Sequence, residues 1–252
     1  MLGLGLATSK GGFVDALAEV TNTKSTLFDG SNDRIVISDA DNLSFGNQSS
    51  DLAFSWSTWI KFPSSITQSN FIISKDDSSD VEYQLFIDTD SRIRARCHDA
   101  SISKQRGITG TTQLATDTWH HISWTYDGTG GDNAQSGMNI YLNGVLETVS
   151  AEIDVSSYVA MHNTSAPLHI GFADRNGDLS FEGNIDEVAL WNTELSASQV
   201  SQIYNNGKAT LDLSTDTGSY SSSANLQGWW RMGDEASTRV VDDNANNLVI
   251  PD

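Results

Sequence analysis

The sequence is poor in cysteine, in charge and in long apolar runs. Cys97 is its single cysteine, which excludes an internal disulfide framework. No stretch approaches the roughly 18 consecutive apolar residues of a membrane-spanning helix, so no membrane insertion is expected. Charged residues make up 19% of the chain, below the usual quarter. Positive charge is scarcest, with 14 Lys and Arg against 33 Asp and Glu and a formal net charge of −19. Such a field repels phosphate backbones and argues against nucleic acid as a partner. The acidic residues are dispersed, as on a solvated surface. No GxSxG, HExxH or phosphate-cradling glycine loop is present. The start, "MLGLGLATSKGG", lacks a basic leader and has a short apolar core, so export by a signal peptide is not expected.

Two-residue periodicity dominates what is there. "VEYQLFID" sends Val81, Tyr83, Leu85 and Ile87 one way and Glu82, Gln84, Phe86 and Asp88 the other. After the turn residues "DTDS", "RIRARCHD" answers with Ile93, Ala95 and Cys97 on one side and Arg92, Arg94, Arg96 and His98 opposite, which predicts a hairpin. "LAFSWSTWIKF" puts Phe54, Trp56 and Thr58 on one face. Trp59 breaks the pattern, which predicts a bulge or a strand buried on both faces. Met138, Ile140 and Leu142 share a face before Asn143-Gly144, the strongest hairpin turn signal in the chain. Roughly a dozen such strands at short spacing predict an all-β fold, a two-sheet antiparallel β-sandwich of jelly-roll type.

One short helix is predicted near 196–206. Ser196 and Gln199 form a capping-box pattern, Val200, Ile203 and Tyr204 make an apolar stripe, and Gly207 ends it. It is expected to pack across one end of the sandwich. Residues 1–25 read as a separate N-terminal arm. Phe13, Leu17 and Val20 are at helical spacing in a segment too short to be stable alone. Leu2, Leu4, Leu6, Phe13 and Leu17 are the candidate subunit contacts, with homo-oligomerisation expected. Residues 26–252 are read as a single domain, with 226–250 completing a sheet from the C-terminal side.

"LFDGSNDRIVI", "FSWSTWIKF", "WHHISWTYDG", "MNIYLNGVL", "LHIGF" and "FEGNIDEVALWNTELSASQVSQIYNNG" occur in the order seen in laminin-G-like and pentraxin-type domains. By these segments the chain resembles the concanavalin A-like lectin/glucanase superfamily. The resemblance implies a curved sandwich that binds glycans or proteins, with structural calcium in many members. It makes Asp29, Asp33 and Asp186 the candidate calcium ligands. Asp127, Asp132 and Asn133, or Asp174, Asn176 and Asp178, are alternative sets, although turns favour Asp and Asn for backbone reasons alone. Superfamily glycosidases carry a Glu-x-Asp-x-x-Glu strand. Glu152 and Asp154 fit its first half, but Ser157 replaces the second glutamate that the mechanism needs. The chain is therefore expected not to be an enzyme.

Phe86, Arg92, Arg94 and Arg96 are the candidate glycan-binding residues, because arginine forks and an aromatic platform suit sugar hydroxyls and acidic groups. The plainer reading of the same face is a solvated sheet knitted by cross-strand ion pairs. His120 and His121 alternate to opposite faces and are not expected to share a metal or substrate. The single lectin-like domain, the "MLGLGL" start and the "WWRMGDE" end also resemble structural proteins of tailed phages. That likeness implies a virion surface protein, a capsid decoration or tail-fibre subunit assembled in the host cytoplasm, with capsid or tail proteins and a cell-surface glycan as partners. The alternatives are a free-standing bacterial carbohydrate-binding or adhesion module acting outside the cell, and, less favoured, a degenerate glycosidase.

Overall fold

A computed structural model describes residues 16–63, 66–101, 103–153, 157–174, 179–234 and 247–249. Its strands begin with β1 (Thr26–Asp29), β2 (Arg34–Ile37), β3 (Phe54–Lys61), β4 (Asn70–Asp76), β5 (Val81–Ile87) and β6 (Ile93–Asp99). They continue with β7 (Lys104–Gly110), β8 (His120–Tyr126), β9 (Met138–Leu142), β10 (Val145–Leu146), β11 (Val149–Ile153) and β12 (Leu168–Ile170). β13 (Phe172–Ala173), β14 (Leu179–Ser180), β15 (Glu182–Trp191), β16 (Leu226–Trp230) and β17 (Asn247–Val249) complete the set, with helix α1 over Ala197–Tyr204.

The strands form two large sheets. One has seven strands, ordered β1-β15-β3-β8-β9-β10, with β16 also paired to β15. The other has eight, ordered β11-β7-β6-β5-β4-β12-β2-β17. β1 pairs with the first half of β15 and β16 with the second, so the two lie end to end along one edge. β17 joins the eight-stranded sheet beside β2 in the parallel sense. The C-terminal region thus contributes to both sheets, and β17 is a parallel exception to the expected antiparallel pairing.

Alternation builds the core as the sequence implies. Tyr83, Leu85, Ile87, Ile93, Ala95 and Cys97 meet Phe54, Trp56, Trp124 and Ile140 between the sheets. Trp230 points inward and stacks on Trp56 at 6.2 Å between ring centres, whereas its neighbour Trp229 faces out. Asn143 and Gly144 both have positive φ (51° and 75°) and join Leu142 to Val145 in a two-residue hairpin.

Two expectations are corrected, and of the two readings of Trp59 one holds. β3 pairs with β8 without interruption from Phe54 to Ile60. It is buried on both faces, because a second apolar layer covers the seven-stranded sheet. That layer contains Val200 and Ile203 of α1, so the helix lies on a sheet face rather than across an end. Ser196 caps it through the expected capping box, and Asn205 ends it in the left-handed region.

The N-terminal segment is the second correction. Leu17 and Val20 are not helical. Glu19 bridges Leu211 in extended conformation, and the Val20 amide donates to Thr210 at 2.7 Å. Leu17, the candidate subunit contact among the described residues, packs half-buried on the second apolar layer of its own domain. Residues 16–25 therefore belong to the sandwich. Leu2, Leu4, Leu6 and Phe13 lie outside the described residues.

Candidate functional site

The outward face of β4–β7 is where the predicted glycan residues fall. Phe86 and Arg94 face each other in register, as do Gln84 and Arg96. Phe71 and Phe86 stack at 4.6 Å and 15°, and Leu179 packs beside them. This pair is a buried floor rather than an open platform, since Phe86 is only 2% exposed. The Arg96 guanidinium lies 4.8 Å from the Phe86 ring centre and covers it.

Carboxylates from both flanks hold the arginines in place. Arg96 Nε donates to Glu152 Oε2 at 2.6 Å, and Arg94 Nη1 donates to Glu152 Oε1 at 2.7 Å. Thr109 Oγ1 donates to the same Glu152 oxygen at 2.6 Å. On the other flank, Arg94 Nη2 meets Asp88 at 2.7 Å, and Ser69 donates to Asp88 at 2.8 Å. Burial disfavours the Glu152 charge, but hydrogen bonds from Arg96 and Thr109 and the arginine charges outweigh it, so its pKa is lowered. Asp88 behaves alike: burial opposes its charge, and hydrogen bonds from Thr89 and Ser69 with the Arg94 charge lower its pKa.

A cavity of about 280 Å³ opens over this face. Phe71, Phe86 and Leu179 make its floor, with Gln84, Arg96, His98, Lys104 and Gln105 among its polar lining. Only the Nε of Arg96 is engaged in a hydrogen bond among the described residues, which leaves its Nη donors for a ligand. Arg94 stands beside the cavity, joined to it through Glu152. Arg92 sits apart at the β5–β6 turn, 4.0 Å from Asp90. Of the four predicted residues, the structure gathers Phe86 and Arg96 in the cavity and Arg94 at its margin.

Sequence reasoning missed Lys104, Gln105 and Leu179, which come from other strands. It also missed Glu152 as the arginines' shared partner; Asp88, at the end of the paired strand, does meet Arg94, whereas Glu82 is buried in an ion pair with Lys75 at 3.0 Å. Glu152 is thus a structural anion, with both carboxylate oxygens engaged. Asp154 lies outside the described residues.

The predicted calcium set is not assembled. Asp29 opposes Glu182 in the β1–β15 register, whereas Asp186 is four residues on, about 13 Å along the strand. Asp29 Oδ1 accepts from Ser31 N at 2.8 Å, and Asp33 Oδ2 from Asp29 N at 2.9 Å, as turn carboxylates do. Asp186 accepts from Asn22 at 2.9 Å. In the alternative sets, Asp132 pairs with Arg106 at 2.7 Å, and Asn176 and Asp178 lie outside the described residues. No group of three His, Cys, Asp or Glu placed to hold a metal occurs among the described residues.

The histidines separate as alternation requires. His121 Nε2 lies 2.8 Å from Ser57 Oγ, while His120 Nε2 lies 2.8 Å from the Ala115 carbonyl. Burial pushes the His121 pKa down to about 3, so its ring is neutral.

A laminin-G family model of the concanavalin A-like lectin/glucanases superfamily matches residues 29–201, more than half of the chain. The chain belongs to this superfamily. Among solved structures, a putative carbohydrate-binding protein from Bacteroides ovatus superposes with a TM-score of 0.56 at 15% identity. The match covers 88% of this chain and 54% of that one, so the chain spans about half of the Bacteroides protein. The CBM40 of the Ruminococcus gnavus IT-sialidase, bound to α2,3-sialyllactose, gives 0.50 at 9% identity, covering 72% of this chain and 98% of that one. The botulinum neurotoxin serotype D binding domain gives 0.51 at 20% identity, covering 73% and 43% respectively. At these identities the likeness to the three structures is one of fold alone. A search of curated proteins finds no match. Among the described residues no helix is long and apolar enough to cross a membrane.

Proposed function

We propose that the chain is a non-enzymatic glycan-binding protein that uses the groove over β4–β7. The observation that carries this is Arg96. Its guanidinium is held 4.8 Å from the Phe86 ring centre, with Nε bonded to Glu152, and Arg96 lines a cavity of about 280 Å³. A pre-positioned guanidinium over an apolar floor suits a ligand rich in hydroxyl or acidic oxygens, since little side-chain entropy remains to be lost on binding. The carbohydrate-binding proteins that share the fold support the reading.

Hydrolysis is disfavoured by the state of Glu152. A glycosidase acid needs a raised pKa and a second carboxyl within reach. Glu152 has a lowered pKa and is held by two arginines and a threonine.

The carbohydrate-binding neighbours support a carbohydrate-binding or adhesion module. A virion surface role rests on the sequence resemblance and would use the same groove. A glycan array with the intact chain tests the shared core of both readings. Binding that is lost in Arg96→Ala supports it; an array without hits for the folded protein overturns it.

A further inference from the structure

A second hollow lies on the opposite side of the sandwich, over the outward face of the seven-stranded sheet. Its volume is about 350 Å³. Trp59 of β3 forms its floor, stacked on Tyr204 of α1 at 5.6 Å and 23° between ring planes. Trp119, from the loop before β8, stands at the rim and is 38% exposed. Lys61 lies 5.9 Å from its ring centre. Residues Asn22 to Ser25 form the opposing wall.

A β-bulge delivers the hollow's carboxylate. β15 slips register against β3 between Asp186 and Ala189, and Glu187 adopts φ 47°, in the left-handed region. The slip turns Asp186 and Glu187 to the same side. Asn22 Nδ2 bridges them, at 2.9 Å to Asp186 Oδ2 and 3.0 Å to Glu187 Oε1. Arg231 and Trp229 bond Glu187, and Asp186 lines the hollow. The groove over β4–β7 has no part in this arrangement.

We infer that this hollow is a second saccharide site, one that takes a neutral hexopyranose unit with its C–H face on the Trp119 ring and its hydroxyls toward Asp186 and the 22–25 wall. An exposed indole beside convergent polar groups is what such a ring requires: an apolar body flanked by hydrogen-bonding edges. The net charge of −19 works against acidic sugars, and Lys24 in the wall, with Lys61 5.9 Å from the Trp119 ring centre, works against amino sugars.

The test is a titration of the full chain with cellotetraose, laminaritetraose and β-1,4-galactotetraose at millimolar concentration. It is read by the tryptophan indole resonances and by calorimetry. At least one sugar is expected to shift the Trp119 indole signal. Trp119→Ala should weaken that binding about tenfold or more, with Trp119→Phe retaining part of it. Arg96→Ala should leave the Trp119 response unchanged, which separates this site from the groove. If none of the three sugars moves the Trp119 resonance, or if binding persists undiminished in a folded Trp119→Ala variant, the inference is overturned, while the groove reading stands or falls on Arg96 alone.

Discussion

Arg96 and Glu152 meet across an intervening strand, over the bare Cα of Gly107. Gly107 is in register with Arg96 on one side and with Glu152 on the other. A Cβ at this position would lie 2.8 Å from Arg96 Cγ and 2.6 Å from the Ala95 carbonyl oxygen. The missing side chain is what lets the 2.6 Å Arg96–Glu152 contact form.

Gly107→Ala should therefore push Arg96 off Glu152 and Phe86. The expected cost is about 1–3 kcal/mol, as for other overpacking substitutions, measured by denaturant unfolding. Glycan affinity should fall in the same variant. Wild-type stability and affinity in Gly107→Ala would contradict the role given to the contact.

Glu152→Gln tests the anion directly. Folding lowers the Glu152 pKa, so the carboxylate stabilises the native state above its unfolded pKa, and that contribution is lost as the pH falls through the folded value. The stability difference between wild type and Glu152→Gln should be largest at neutral pH and shrink below about pH 4. Unfolding curves at several pH values give this difference; one that grows on acidification would contradict the assignment.

The Asp186–Glu187 pair has the opposite sign. Burial raises Asp186 to about 6 and Glu187 to about 7; the Arg231 charge opposes the Glu187 rise, and Asp186 adds to it. The native state then binds more protons than the unfolded chain between about pH 4 and 7. This contribution to stability is full below the unfolded pKa values and is lost as the pH rises through about 6 and about 7. Between pH 8 and pH 5 the wild type should gain more in Tm than the Asp186→Asn/Glu187→Gln variant. Parallel Tm profiles would refute it.

Ser196→Ala removes the capping-box hydroxyl that accepts from the Gln199 amide at 3.3 Å. The expected loss is about 1 kcal/mol, seen as a shift in the denaturation midpoint without a change in slope. Glycan binding at the groove should be unaffected, because α1 lies on the other sheet. A matching loss of affinity would place α1 in the site.

The strands and their inward residues were legible because a half-buried strand writes its burial as strict alternation. Tyr83, Leu85 and Ile87 against Ile93, Ala95 and Cys97 are the clearest case. The capping box was legible because its chemistry is local. Trp59 was ambiguous because a strand covered on both faces loses the polar half of its pattern, and α1, which covers it, lies more than a hundred residues away in sequence. The arginine face was visible through β6 alone. Its partner Glu152 was not, because pairing across β7 depends on a register and on Gly107 that no local pattern encodes. Asp29 and Asp186, grouped by resemblance, lie apart because the β1–β15 register, which no local pattern encodes, sets Asp29 opposite Glu182.

The most direct measurement is isothermal titration of the best glycan-array ligand into wild type and Arg96→Ala. The groove account predicts saturable binding to wild type and a loss of about tenfold or more in Arg96→Ala, as expected for removal of a charge-assisted donor. Equal affinity in the two proteins, with Arg96→Ala folded, would contradict it.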